Sequence, residues 1–138
     1  DGIFGATGIA ATASGYGGSA SVTNSGAIYA SQNQKYGYGA YGIVVSSDGD
    51  GSIDNSGSIE VYSGGVANGA TVLSFAGDAS VTNSGDISAY SAAALYYGAT
   101  GITAFAANGS AYVGNSGSVS VTSAAITPHL LGVRGIKS

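Results

Sequence analysis

The tripeptide Asn-Ser-Gly recurs through the chain at a nearly constant interval. Its copies begin at Asn24, Asn55, Asn83 and Asn115, so the spacings are 31, 28 and 32 residues. Self-similarity at such a period is typical of solenoids, because a unit of this size cannot bury an apolar face until it stacks on its neighbours. The sequence therefore predicts a solenoid in which each copy of the motif belongs to one coil, which we call a rung.

Each copy is accompanied by three short segments in which apolar and polar residues alternate. One segment leads into the motif at Val22, one leaves it at Ile28, and one follows a glycine at Ile9. Alternation with period two predicts β-strands. We therefore expect an all-β domain, a parallel β-helix (β-solenoid) with three short strands per coil and four to five coils of about 30 residues. The predicted repeats are 5–38, 39–68, 69–97 and 98–131, with a partial repeat at 132–138.

Equivalent apolar residues of successive repeats should form inward columns that stabilise the solenoid. Each such side chain contributes about 1.5–3 kcal/mol when it is fully buried. The two columns predicted from the repeats are Ile9/Ile43/Val72/Ile102/Ile136 and Val22/Ile53/Val81/Val113.

The same alternation turns the asparagine of each motif inward at a corner. Stacked amides can hydrogen-bond from coil to coil there, as asparagine ladders do. The glycine of each motif should then have either a positive φ or a close backbone neighbour. These structural positions are Asn24, Asn55, Asn83, Asn115, Gly26, Gly57, Gly85 and Gly117.

Composition excludes several classes of function. Three basic residues against seven acidic ones give a net charge of −4, which provides no basic surface for nucleic acid. The sequence contains no run of about 20 apolar residues that would span a membrane as a helix. The chain has no cysteine and one histidine, His129, so thiolate and histidine-rich metal sites are excluded. Because it lacks an initiator Met and a signal peptide, we expect a fragment or mature segment of a longer protein.

The repeat resembles a known family. Val22–Ile28 and Val81–Ile87 both have the form Val-Thr-Asn-Ser-Gly-x-Ile, and this form is similar to the passenger domains of bacterial autotransporter adhesins. The resemblance implies a right-handed parallel β-helix that is exported to the extracellular space or the bacterial outer-membrane surface. It also implies a role in adhesion, aggregation or biofilm formation.

The functional expectation is accordingly an extracellular structural or adhesive solenoid. Its expected partners are other copies of itself, end to end or side by side, and a glycan or other ligand on a host or sister cell. The alternative is a subunit of a head-to-tail extracellular filament, because bare solenoid ends expose strand edges that pair with further strands.

One acidic segment resembles part of a calcium-binding loop. Asp48, Asp50 and Asp54 alternate as calcium ligands do, but Ile53 and Ile59 stand where such a loop needs its glycine and its bidentate acid. We therefore expect a solvated turn and no cofactor, with calcium at Asp48, Asp50 and Asp78 as the alternative. Asp50 and Asp78 should stack one rung apart.

The same pair raises a third alternative, a carbohydrate-active β-helix enzyme. Retaining glycosidases hold two carboxyl groups about 5 Å apart. The seven acidic residues are, however, scattered over different faces, and His129 has no acidic partner with which to form a catalytic triad. We predict no enzymatic activity and no catalytic residue.

Aromatic residues provide the strongest sequence signal for a contact surface. Ten tyrosines and three phenylalanines cannot all fit an interior of Ala and Val, so many must point outward. Tyr62 should stack on Tyr90, and Phe75 on Phe105, from rung to rung. The remaining candidates cluster at the loop whose length varies most between repeats: Tyr36, Tyr38, Tyr41, Tyr96 and Tyr97.

Overall fold

The computed structural model describes residues 5–34, 38–92 and 98–124 in full, together with the backbone of residues 133–137. These residues form strands and turns and include no helix. The strands are β1 (Ala6–Ala13), β2 (Ala20–Asn24), β3 (Ala27–Gln32), β4 (Ala40–Ser47), β5 (Gly51–Asn55), β6 (Ser58–Ser63), β7 (Ala67–Ser74), β8 (Ala79–Asn83), β9 (Asp86–Ser91), β10 (Ala99–Ala106), β11 (Ala111–Asn115), β12 (Ser118–Ser123) and β13 (Val133–Lys137).

The strands form three parallel sheets, because each strand pairs with the strand three positions earlier in the chain. Sheet A has the order β1-β4-β7-β10-β13, sheet B the order β2-β5-β8-β11, and sheet C the order β3-β6-β9-β12. Rung 1 is therefore β1–β3, rung 2 is β4–β6, rung 3 is β7–β9 and rung 4 is β10–β12. The predicted fold, an all-β solenoid with three strands per coil and about four turns, is confirmed.

The interior is a narrow aliphatic column that is best sealed in the middle rungs. Ile53, Val81 and Ile87 are each about 1% exposed or less, whereas Val113 and Val119 of rung 4 remain half-buried. The column Val22/Ile53/Val81/Val113 follows the pairing register as predicted. Burial of the core residues thus falls towards the ends of the described solenoid, from about 1% exposed at Ile53 and Ile87 to 8% at Val22 and 9% at Ile28.

The second predicted column is wrong at one residue. The register places Ala70, not Val72, between Ile43 and Ile102, and Val72 lies two positions further along, opposite Val45. The prediction aligned the third repeat by its larger aliphatic residue. In the actual pairing, Gly69 is equivalent to Gly42, so the residue after Gly69, Ala70, is the partner of Ile43.

A glycine column in sheet A explains why pairing follows glycine. Gly42 and Ile43 are both buried although they are consecutive, so the strand changes its alternation at this point. A Cβ added at Gly42 would overlap the Cγ2 methyl of Ile59 from sheet C and the carbonyl of Gly69 in the next rung. Sheet C isoleucines therefore occupy the space that a side chain in sheet A would need, which fixes the register of both sheets.

Three kinds of connection join the sheets. Sheets B and C meet at the Asn-Ser-Gly motif in every rung. Sheet C returns to sheet A through loops of varying length, much of which lies outside the described residues. Sheets A and B are joined by residues 14–19, 48–50, 75–78 and 107–110, which we call the A–B edge.

Candidate contact surface

The Asn-Ser-Gly corner is occupied by a continuous amide ladder, as predicted. The Nδ2 atom of Asn24 donates to Oδ1 of Asn55 at 2.7 Å, Asn55 donates to Asn83 at 2.6 Å, and Asn83 donates to Asn115 at 2.7 Å. Each Nδ2 also donates to the carbonyl two residues ahead, at Gly26, Gly57, Gly85 or Gly117. Because Asn55 and Asn83 are buried, their amides are used inside the molecule and are not available to a ligand.

Three of the motif glycines, Gly57, Gly85 and Gly117, are required by close backbone approach, whereas a Cβ at Gly26 would meet only the Asn24 side-chain oxygen at 3.9 Å, so the expectation is wrong for Gly26. A Cβ at Gly57 would overlap the carbonyl of Gly26, and one at Gly85 would overlap that of Gly57. The other predicted explanation, a positive φ, is wrong for these residues. In the described chain, positive φ values occur at Gly15, Gly17 and Gly39 instead.

The predicted stack of Tyr62 on Tyr90 is confirmed on the outer face of sheet C. Their ring centroids are 5.1 Å apart, and the ring planes are inclined by only 11°. The two residues are direct register partners in β6 and β9, which is why rings on adjacent rungs overlap. Tyr62 is 37% exposed and Tyr90 is half-buried, so the pair forms a firm platform with an accessible side.

A shallow groove runs beside this platform on the same face. The groove is lined by Tyr29, Glu60 and Asp86 together with serines from three rungs. Tyr29 is the register partner of Glu60, which in turn pairs with Ser88, two residues from Asp86. The groove therefore combines an aromatic ring with two carboxylates and hydroxyl groups on a flat sheet. Sequence reasoning missed these residues, although their outward positions in the alternation could have identified them.

The predicted stack of Phe75 on Phe105 is wrong. Phe105 pairs with Leu73 on the outer face of sheet A, whereas Phe75 lies beyond β7, on the A–B edge. The error has the same origin as that at Val72, a shift in the alignment of the third repeat. The two residues belong to different surfaces.

The other aromatic candidates lie apart from the sheet C platform. Tyr41 is on the outer side of β4 in sheet A, and its hydroxyl donates to the backbone carbonyl of Tyr38 at 3.3 Å. Tyr38 itself is exposed. Tyr36, Tyr96 and Tyr97 lie outside the described residues. Of the two aromatic stacks that the sequence predicts, the structure thus forms the one on the outer face of sheet C.

The calcium candidates Asp48, Asp50 and Asp78 lie on the A–B edge, where backbone amides donate to their carboxylates, whereas Asp54 of the same acidic segment is exposed within β5. Asp50 Oδ1 accepts a hydrogen bond from the Asp78 amide at 2.9 Å, and Asp78 Oδ1 accepts one from the Ser110 amide at 2.7 Å. Asp50 and Asp78 therefore do occupy equivalent positions one rung apart. Asp48 Oδ2 accepts from the Gly15 amide at 2.7 Å. Among the described residues, no group of three or more acidic, histidine or cysteine side chains is placed to hold a metal ion.

Comparison of the chain with protein-family models, with curated proteins and with solved structures finds no match. The resemblance to autotransporter passengers, with the handedness and export that it implies, therefore stays a prediction. The described part of the chain has no helix long and apolar enough to cross a membrane.

Proposed function

We propose that this solenoid is a structural and adhesive rod of the cell surface that makes its contacts through the outer face of sheet C. The observation that carries the proposal is the stacked Tyr62–Tyr90 pair beside the groove of Tyr29, Glu60 and Asp86. Exposed aromatic patches usually mark interaction sites. Tyrosine is well suited to such a role, because its ring buries apolar area while its hydroxyl remains solvated.

The rest of the structure supports a scaffold. Inward polar side chains at the corners are used by the backbone of the solenoid, as in the Asn-Ser-Gly ladder. The outer face of sheet B is lined mainly by small polar residues such as Ser52, Ser80 and Thr82. Sheet B has one outward tyrosine, Tyr112, and one outward carboxylate, Asp54, whereas sheet C has a stacked tyrosine pair beside a third tyrosine and two carboxylates. A chain that places its distinctive chemistry on one flat face is suited to binding an extended surface.

The test is a double substitution, Tyr62→Ser with Tyr90→Ser, in protein displayed on cells or beads. Adhesion to polysaccharide-coated surfaces, and aggregation of the displaying particles, should fall at least tenfold, because the platform is lost. Tyr112→Ser is the matched control, since Tyr112 is an exposed tyrosine on sheet B. Circular dichroism should show that both variants keep the fold. Adhesion and aggregation that remain unchanged in the double variant would contradict the proposal.

A head-to-tail filament is the second candidate, and one observation favours it. Val113, Val119 and Val121 of rung 4 stay half-buried, whereas their rung 3 partners Val81, Ile87 and Ala89 are buried. A further rung from another copy would cover this surface. Electron microscopy of the purified chain should then show fibres, with a diffraction spacing of about 4.8 Å along the axis. Monodisperse particles at high concentration would contradict this candidate.

A further inference from the structure

A second site lies on the A–B edge, away from the face proposed for adhesion. It is a shallow pocket of about 350 Å³ lined by Tyr16, Gly17, Asp48, Phe75 and Ala76. Tyr16 comes from rung 1, Asp48 from rung 2 and Phe75 from rung 3. Because neighbouring rungs are about 4.8 Å apart, two aromatic side chains lie on either side of one carboxylate along the solenoid axis.

Backbone geometry holds Tyr16 at the surface. The residue is fully exposed, and it lies between Gly15 and Gly17, whose φ angles are 108° and 75°. Only glycine adopts such angles without steric cost. Asp48 Oδ2 accepts the hydrogen bond of the Gly15 amide at 2.7 Å, which ties this turn to rung 2. Tyr16 is thus displayed by its turn rather than buried by packing.

Phe75 is held in a comparable way from two neighbouring rungs. Its amide donates to the Ser47 carbonyl at 3.0 Å, and its carbonyl accepts from Asn108 Nδ2 at 2.7 Å. The ring is nevertheless 52% exposed. The backbone of each aromatic residue or its turn is therefore fixed, while the ring remains available to a ligand.

The charge of the edge selects a cation. Asp48 shares the A–B edge with two more carboxylates, Asp50 and Asp78, and the described residues of this edge include no lysine or arginine. Aromatic faces attract cations. The hydrogen bonds of the described residues occupy Oδ2 of Asp48 and leave Oδ1 without a donor. An open carboxylate oxygen favours a cation that carries N–H groups, and a guanidinium group is planar, stacks on aromatic rings and donates to carboxylates.

We propose that this pocket binds the guanidinium group of an arginine side chain from a partner protein, with Asp48 as the hydrogen-bond acceptor and Tyr16 and Phe75 as the flanking rings. The site is independent of sheet C. An adhesive rod that also bound arginine here would have a second, charge-dependent contact along one edge. Binding should weaken as ionic strength rises, because an exposed ion pair is screened by salt.

The experiment is a titration of the intact chain with acetyl-arginine amide, in which NMR measures the chemical shifts of Tyr16 and Gly15 at each addition. Saturable shifts confined to the A–B edge are expected. Tyr16→Ala and Asp48→Asn should each weaken binding at least tenfold; the asparagine can still accept the Gly15 hydrogen bond, so this variant removes the charge and keeps the turn. Tyr112→Ala is the control and should bind like the original chain.

Two further probes, choline and calcium, test whether the ligand of the pocket is a guanidinium group. Choline carries a positive charge without N–H donors, so it should bind at least tenfold more weakly than the arginine probe. Equal binding of choline would overturn the guanidinium assignment, and binding of calcium alone to the same residues would replace it with a metal site. Absence of saturable shifts, or shifts that Asp48→Asn leaves intact, would overturn the pocket itself. Loss of adhesion through sheet C would affect none of these measurements.

Discussion

The Asn-Ser-Gly corner and the A–B edge are both turns that every rung must make, and they are built in opposite ways. At the corner, each rung uses the same residues, and each amide donates to its counterpart in the next rung. On the A–B edge, the side chains that bridge rungs differ from one rung to the next, as Ser19, Asp50 and Asp78 do. The connections also differ in length, from 48–50 to 14–19.

The difference shows where this molecule can vary. An identical residue in every rung is self-complementary, so the corner satisfies its own polar groups and keeps them buried. The A–B edge satisfies backbone groups with whichever oxygen is present, and it leaves aromatic rings and carboxylate oxygens on the surface. The corner therefore stabilises the rod, and the edge can change without loss of the fold.

The largest effect is expected at the corner glycines. Gly85→Val should prevent folding or lower the free energy of unfolding by more than about 3 kcal/mol, because the new side chain would overlap the Gly57 backbone. Gly26→Val is the matched control: a Cβ at Gly26 meets nothing closer than the Asn24 side-chain oxygen at 3.9 Å. Urea unfolding of both variants measures the difference. Equal stability of the two would show that the corner does not depend on close approach.

The next effect is expected for the amide ladder itself. Asn83→Ala should lower the free energy of unfolding by about 2 kcal/mol. The change removes the oxygen that accepts from Asn55 and the amide that donates to Asn115, both inside the molecule. Asn115→Ala removes only the last link, at an exposed residue, and should cost less than about 1 kcal/mol. Thermal and urea unfolding provide the comparison. A smaller loss at Asn83 than at Asn115 would contradict the ladder as a source of stability.

The smallest effect is expected on the A–B edge. Asp78→Ala removes the acceptor of the exposed Ser110 amide and should cost about 0.5–1 kcal/mol, since solvent can replace the lost hydrogen bond. Asp78→Asn keeps an acceptor oxygen and should be close to neutral. If Asp78→Ala were as damaging as Asn83→Ala, the distinction between a structural corner and a tolerant edge would fail.

Sequence reasoning could predict the features that repeat. The spacing of Asn-Ser-Gly fixes the rung, its parity turns Asn55 and Asn83 inward, and the same alignment places Tyr62 on Tyr90. Each of these depends on one residue type occurring at equivalent positions in neighbouring repeats. Local pattern and register then agree, so the pairing follows without knowledge of the third dimension.

The two alignment errors, at Val72 and at Phe75, occurred where one repeat has a different residue from its neighbours. In the third rung, Ala70 replaces the isoleucine of its neighbours, so Val72 appeared to be the equivalent residue and the alignment moved by two positions. The physical constraint was the space between Gly69 and the methyl group of Ile87, which only the packed structure reveals. The pocket of Tyr16, Asp48 and Phe75 was missed for a related reason. Its members occupy different repeat positions and meet only because rungs stack.

The one-way order of the amide ladder has a consequence for the solenoid as a whole. Every link runs from an Nδ2 atom to the Oδ1 atom of the following rung, so the amide dipoles point in the same direction along the axis. Aligned hydrogen bonds polarise one another. The uncharged interior therefore carries a net dipole, and the ladder ends in the Asn24 Oδ1 atom, which accepts from the Gly26 amide, and in the Asn115 Nδ2 atom, which donates to the Gly117 carbonyl. The rod is electrically as well as chemically directional, and any additional rung would have to join it in the same orientation.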